Sequence, residues 1–128
     1  MSDQLLKPTE AELEILQILW QYGPSTVRFV NEKLNEQREV GYTTTLKFMQ
    51  IMVDKGLARR NTDNRVHVYQ AAVEEGITQQ QLLDKFVEST FRGSAMKMVM
   101  QALGQHDASP EELDEIKALI QQIEKRQQ

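Results

Sequence analysis

One segment, residues 41–57 (GYTTTLKFMQIMVDKGL), constrains the fold more than any other part of the chain. At about 100° per residue, its apolar side chains fall on one face of a helix, and its polar side chains fall on the other. The pair Lys55 and Gly56 indicates the end of this helix, because glycine readily adopts the left-handed conformation that follows a last turn. The segment therefore predicts a short two-faced helix.

A basic hairpin pattern follows this helix directly. Residues 57–60 (LARR) and 65–69 (RVHVY) have the residue types of two short strands, and residues 61–64 (NTDN) form a turn cluster between them. The second strand is predicted to carry its two valines on one face and its other three side chains on the opposite face. A helix with a polar face followed by a basic two-stranded ribbon is typical of the DNA-reading half of a winged helix-turn-helix.

Two further helices are predicted before this unit. Thr9 and Glu12 have the spacing of a capping box, in which each side chain accepts a backbone N–H of the other residue. Gly23 and the proline after it end the first helix, and Thr26 is the predicted N-cap of the second. Three short helices and a hairpin make residues 1–73 a predicted winged-helix DNA-binding domain.

Residues 74–128 are predicted to be helical throughout, so the fold is mainly α. A capping-box spacing at Thr78 and a second one at Ser109 indicate helix starts, and the first residue after Ser109 is proline. The three predicted helices have wide apolar faces with little to cover them, which favours a dimerisation domain formed by two copies of the chain; packing back on the first domain as a monomer is the alternative. The predicted dimerisation residues are Leu82, Leu83, Phe86, Val87, Met96, Val99, Met100, Leu103, Leu113, Ile116, Leu119, Ile120 and Ile123.

Charge is distributed unevenly along the chain. The 128 residues carry a net charge of −4, which by itself argues against a nucleic-acid partner. Residues 38–67, however, hold six basic and three acidic residues, a net charge of +3, whereas residues 74–128 hold six basic and ten acidic residues, a net charge of −4. Local positive charge of this kind is what a single DNA-facing surface requires.

The candidate DNA contacts come from the predicted third helix and the hairpin. Hydroxyl, amide and ammonium groups near the start of a helix can reach base edges and phosphates, and arginines in a wing bind the backbone. An ordinary solvated surface, with arginines paired to Asp54 or Asp63, is the alternative. The predicted contacts are Tyr42, Thr43, Thr44, Lys47, Gln50, Lys55, Arg59, Arg60 and Arg65, with Arg28 as a weaker candidate.

Other function classes find little support in the sequence. His67 and His106 have no suitably spaced carboxylate, and the chain has no cysteine, so neither a metal site nor a cofactor is predicted. No acid/base pair, nucleophile motif or phosphate loop predicts an enzyme. No apolar run spans a membrane and no secretory signal is recognisable, so we expect a cytoplasmic protein without membrane insertion.

The chain resembles the penicillinase-repressor family. The resemblance rests on residues 6–34 (LKPTEAELEILQILWQYGPSTVRFVNEKL), 41–60 (GYTTTLKFMQIMVDKGLARR), 65–73 (RVHVYQAAV) and 109–125 (SPEELDEIKALIQQIEK). It implies a homodimeric winged-helix repressor that binds an inverted-repeat operator through its third helix and wing. It also implies a membrane sensor protease as a further partner.

Two features of the chain depart from patterns that the resemblance brings with it. Copper-responsive members carry paired cysteines near the C-terminus, and this chain has none. Members that are inactivated by proteolysis are cut at an Asn-Phe bond, which aligns near Gln101 and Ala102 here. Two other classes stay open: a winged-helix protein-interaction adaptor, and a small-molecule-sensing regulator with a pocket around Met96, Met98 and Met100.

Overall fold

The structure, a computed structural model, describes residues 7–63 and 65–128, so the turn residue Asn64 and the first six residues lie outside the described part. Within it the fold is mainly helical, as predicted, with one two-stranded antiparallel sheet. The elements are, in order, α1 (Glu10–Tyr22), α2 (Val27–Asn35), α3 (Tyr42–Lys55), β1 (Ala58–Asn61), β2 (Val68–Ala71), α4 (Glu75–Phe91), α5 (Ala95–Gln105) and α6 (Pro110–Arg126).

Local signals determine both ends of α1. The Thr9 backbone N–H donates to Glu12 Oε1 at 3.0 Å, and the Glu12 backbone N–H donates to Thr9 Oγ1 at 3.2 Å, which confirms the capping box. The helix ends at Gly23, whose φ of 80° lies in the region that favours glycine. The predicted cap of α2 is also confirmed, because Thr26 Oγ1 accepts the Phe29 N–H at 3.1 Å.

Two asparagines hold the turn between α2 and α3. Asn35 donates to the Val40 carbonyl at 2.8 Å and accepts the Val40 N–H at 3.2 Å. Asn31 Nδ2 donates to the same carbonyl at 3.0 Å and to Thr45 Oγ1 at 2.9 Å. The polar groups of the turn are therefore satisfied by side chains, and the start of α3 is fixed against α2.

The hairpin differs from its prediction in the bounds of both strands. β1 and β2 pair with Asn61 opposite Val68 and Ala58 opposite Ala71, so Asn61 belongs to the first strand and not to the turn. The second strand begins at Val68, and the three residues before it lie outside the strand. Tyr69 is buried to 1% exposure, and its backbone exchanges two hydrogen bonds with Ser25, both at 2.8 Å. The extended segment at Ser25, just before α2, therefore pairs with β2 of the hairpin. Tyr69 is the largest fully buried side chain of the hairpin.

The hydrophobic core is formed by the first three helices, the hairpin and the short connections that hold Val40 and Leu57. It joins α1, α2 and α3 to both strands, and the Trp20 indole N–H bonds to the Val73 carbonyl at 3.0 Å. The core residues are Ile15, Leu16, Leu19, Val27, Val30, Leu34, Val40, Met49, Met52, Leu57, Ala58 and Tyr69.

The chain divides into two compact units, Met1–Leu83 and Asp84–Gln128. The predicted division at 73/74 gives α4 to one domain, whereas the observed units share this helix. α4 begins at Glu75, so the predicted capping box at Thr78 is wrong; Thr78 is a buried residue inside the helix. The capping box at Ser109 is confirmed at the start of α6.

The C-terminal helices have no core of their own. α5 and α6, both fully described, contain no buried residue. Their apolar side chains are instead exposed or half-buried. None of the described helices is both long enough and apolar enough to span a bilayer.

Candidate nucleic-acid interface

Helix α3 carries its functional candidates on a face directed away from the core. Thr45, Met49 and Met52 are buried against the other helices, which confirms the predicted inner face. The opposite face presents hydroxyl, amide and ammonium groups to solvent, as the sequence predicts. Its exposed polar residues include Thr43, Thr44, Lys47 and Gln50.

The start of α3 is also open to a ligand. Gly41 is its N-cap and supplies no side-chain acceptor for the first backbone N–H groups. Such N–H groups, together with the positive end of the helix dipole, attract an anion. The hydrogen bond between Asn31 and Thr45 holds this turn in place. The start of α3 can therefore present its free backbone N–H groups and the exposed side-chain donors of the helix to the same anion.

The hairpin arginines are exposed cations. Arg59 and Arg60 lie on β1, and Arg65 lies just before β2. Among residues 7–63 and 65–128, none of the three has a carboxylate within 4.0 Å, and neither does Lys47. The alternative in which Asp54 or Asp63 neutralises these arginines is thus absent from the described part of the chain.

A groove connects the helices to the hairpin. It has a volume of about 470 Å³ and is lined by the start of α2, the start of α3 and the approach to β2. Tyr42, which is 52% exposed, lies in this groove together with Arg28 and Arg65. His67 lines the groove as well. The sequence does not predict this, although the position of His67 two residues after Arg65 is consistent with it.

Lys55 differs from the other predicted contacts. Its Nζ lies 2.6 Å from Glu12 Oε1, and the side chain of Glu12 is only 4% exposed. Burial raises the pKa of the Glu12 carboxyl, but hydrogen bonds from Lys55 and Thr9 and the charge of Lys55 outweigh burial, so that pKa lies below its ordinary value of 4.5. The charge of Lys55 is already balanced, and the structure gives it a role in joining α3 to α1.

Arg28 and Arg38 are also paired. Arg28 lies 3.6 Å from Glu32 on an exposed face of α2. Arg38 forms an ion pair with Glu14, which raises the pKa of the Arg38 guanidinium. Among the described residues up to 73, the cations without an ion pair are Lys7, Lys47, Arg59, Arg60 and Arg65, so four of these five lie on α3 or in the hairpin segment.

Three helices, a two-stranded wing and an exposed cationic surface define a winged helix-turn-helix protein of the DNA-binding class. A family model described as "Penicillinase repressor" matches residues 8–122, and the chain belongs to this family. Proteins of this family are DNA-binding transcriptional repressors rather than enzymes, and the fold agrees with that class.

Two curated relatives and one solved structure illustrate the similarity. The methicillin resistance regulatory protein MecI of Mammaliicoccus sciuri is 22% identical over 120 residues, covering 94% of this chain and 98% of the relative. The penicillinase repressor of Bacillus licheniformis is 21% identical over 118 residues, covering 92% of each chain. The complex structure of hsRosR-S4 has a TM-score of 0.51 at 15% identity over 99% of this chain and 95% of that chain, which shows a shared fold.

Proposed function

We propose that this protein is a sequence-specific repressor that binds an inverted-repeat operator as a homodimer in the cytoplasm. The observation that carries the proposal is the set of exposed cations on α3 and the hairpin that have no acidic partner among the described residues. Unpaired cations on a helix and its adjacent wing fit the phosphates on either side of a major groove. The family resemblance supports the same proposal.

The contacts divide into two kinds. In the proposed complex, Thr43, Thr44, Lys47 and Gln50 on α3 face the base edges, where hydroxyl, amide and ammonium groups distinguish base pairs. Arg59, Arg60 and Arg65 bind phosphates. The hydroxyl of Tyr42, which lines the protein groove between α2, α3 and β2, also binds a phosphate. Phosphate contacts set affinity and register, and base contacts set sequence preference. Lys55 is left out of this proposed interface because Glu12 holds it.

Homodimerisation is proposed for residues 74–128, and exposed apolar area supports it. A soluble chain rarely leaves a wide apolar surface uncovered, and a unit of three helices without a core is marginal alone. The predicted dimerisation residues that are exposed by 39% or more are Leu83, Phe86, Met96, Val99, Met100, Leu103, Leu113, Leu119 and Ile120, and the remaining four are half-buried. A second copy would bury these faces and place two copies of α3 about 34 Å apart, one helical turn of DNA.

The DNA proposal is tested by selecting binders from a randomised duplex library, at salt concentrations from low to physiological. We expect a palindromic sequence, with affinity that falls steeply as salt rises. Lys47→Ala should change base preference, whereas Arg60→Ala should weaken all sequences alike and reduce the salt slope by about 1. Arg38→Ala is the matched control, because Arg38 is already paired with Glu14. Weak binding without sequence preference would contradict the proposal.

The dimer proposal is tested by sedimentation of the full chain over a concentration series. Ile120→Glu places a charge on the exposed apolar face of α6, where it cannot be buried against a second copy without a large desolvation cost. We expect this variant to be monomeric and the unaltered chain to be dimeric. Gln122→Glu, an exposed polar position on the same helix, should remain dimeric. A monomeric unaltered chain at micromolar concentration would contradict the proposal.

The two alternative classes have less support. An adaptor has no need for Lys47 and the hairpin arginines to be exposed and unpaired together. A small-molecule sensor with a pocket at the methionines of α5 needs those side chains to line a cavity, but Met96 and Met100 are 67% and 65% exposed. A membrane sensor protease remains a proposed partner on the resemblance alone. Gln101 and Ala102 are exposed on α5, and incubation with such a protease followed by mass spectrometry would locate any cut.

A further inference from the structure

One apolar residue of helix α3, Ile51, is exposed to solvent. Past the first residue of this helix, all other apolar side chains of α3 are buried or half-buried, but Ile51 is 37% exposed. Ile51 belongs neither to the hydrophobic core nor to the residues packed against it. Ile51 is not among the DNA contacts predicted from the sequence.

The position of Ile51 places it on the face that is proposed to meet DNA. It follows Lys47 by four residues, and side chains at this spacing are neighbours on a helix surface. It follows Thr44 by seven residues, about two helical turns. Asp54, three residues further on, is another exposed polar neighbour on the helix surface. Ile51 is therefore an apolar residue at the edge of a polar, cation-bearing face.

We infer that Ile51 is a specificity-determining residue that contacts the 5-methyl group of a thymine in each operator half-site. The inference rests on the proposed function. The thymine methyl is the principal apolar group that base pairs present in the major groove, and aliphatic side chains recognise it by contact. Isoleucine has no hydrogen-bonding group in its side chain, so at this position it gains contact only where the methyl is present.

The test uses the full chain and the palindrome obtained by library selection. Each thymine is replaced singly by deoxyuridine, which removes the methyl and leaves every hydrogen-bonding group in place. At one position in each half-site, the unaltered protein should bind the deoxyuridine duplex about fourfold more weakly, the equivalent of ~0.8 kcal/mol for one buried methylene-sized group. Ile51→Ala should bind the thymine duplex more weakly by at least that factor and should no longer distinguish the two duplexes.

One control variant separates this contact from general weakening. Ile77→Ala, an isoleucine of α4 that is 54% exposed, should keep the fourfold preference at that position. Because Ile51 lies outside the core, Ile51→Ala should unfold at nearly the same denaturant concentration as the unaltered chain.

Two results would overturn the inference while leaving the proposed function intact. One is an unaltered protein that binds thymine and deoxyuridine equally at every position of a selected palindrome. The other is an Ile51→Ala variant that keeps the full preference, which would make Ile51 an ordinary exposed side chain. Failure to select any palindrome would instead refute the proposed function itself, so the two failures are distinguishable.

Discussion

The ion pair between Lys55 and Glu12 gives a stability prediction that depends on pH. It joins the last turn of α3 to the first turn of α1, residues 43 positions apart in the sequence. Lys55→Met keeps the apolar stem of the side chain and removes the ammonium. The Glu12 carboxylate, only 4% exposed, would then be left with its interactions with Thr9, whose backbone N–H donates to it at 3.0 Å.

The expected cost at pH 7 is about 2 kcal/mol of unfolding free energy, within the range of about 1–3 kcal/mol for a buried polar group that loses its partner. Breaking a fully buried pair costs more, about 3–5 kcal/mol, but the Lys55 side chain is 36% exposed and water screens the pair. Lys47→Met is the matched control, because Lys47 is exposed on the same helix; its expected effect is within about 0.5 kcal/mol.

The pH dependence follows from the lowered pKa of Glu12. A carboxyl whose folded-state pKa lies below its ordinary 4.5 contributes stability above that pH, and the contribution is lost as pH falls through the folded-state pKa. In Lys55→Met, burial acts on Glu12 without the opposing ammonium, so its pKa rises relative to the unaltered protein. Since the unfolded-state pKa is the same for both, the stability difference between the two proteins should shrink as pH falls from the raised pKa of Glu12 in the variant to its lowered pKa in the unaltered protein.

The measurement is urea unfolding followed by the fluorescence of Trp20, the single tryptophan of the chain, at several pH values. Protein concentration is held fixed, since dimerisation would couple to unfolding. A cost below about 0.5 kcal/mol at pH 7, the size of an ordinary surface substitution, would refute the reasoning. So would a larger cost that is the same at pH 7 and pH 4.

Three further predictions concern stability, each measured by urea unfolding at fixed protein concentration. Asn35→Ala removes the two bonds that Asn35 makes to the Val40 backbone and should cost about 1–3 kcal/mol; an unchanged midpoint would show that water replaces them. Gly56→Ala places a side chain at φ 86° and should cost about 1–2 kcal/mol, whereas Gly76→Ala, in α4 with open space around its Cβ, should stabilise by about 0.4–1 kcal/mol; equal effects at the two glycines would contradict the argument. Tyr69→Ala empties a fully buried site and should cost about 3–5 kcal/mol, and a cost below about 1 kcal/mol would mean that this side chain is not part of the core.

The predictable part of the fold depends on neighbours in sequence. The capping boxes at Thr9 and Ser109 each involve residues three positions apart, and a short motif is enough to recognise them. The inner face of α3 follows from helical periodicity alone. The same kind of signal is wrong at Thr78. Its spacing to Gln81 predicts a helix start, but Thr78 is a buried residue inside α4.

The residues of the candidate site could be predicted from the sequence, but the ion pairs that some of them form could not. Residue types and local charge were sufficient to place Lys47, Arg59, Arg60 and Arg65 on an exposed surface. They could not show that Lys55 pairs with Glu12, because an ion pair across 43 residues leaves no trace in periodicity. The exposure of Ile51 also depends on tertiary packing, because helical periodicity does not show which apolar residues of α3 the other helices cover.

The sequence by itself determined the class of fold, the capped starts of α1, α2 and α6 and the basic character of α3 and the hairpin, because these depend on propensity, periodicity and charge within a few residues. The tertiary structure alone decided which groups are satisfied and which are left free. It buried Tyr69 beside Ser25, bonded Trp20 to Val73, and left the faces of α5 and α6 uncovered. These outcomes depend on packing between residues that are distant in the chain, and packing is settled only when the whole core forms.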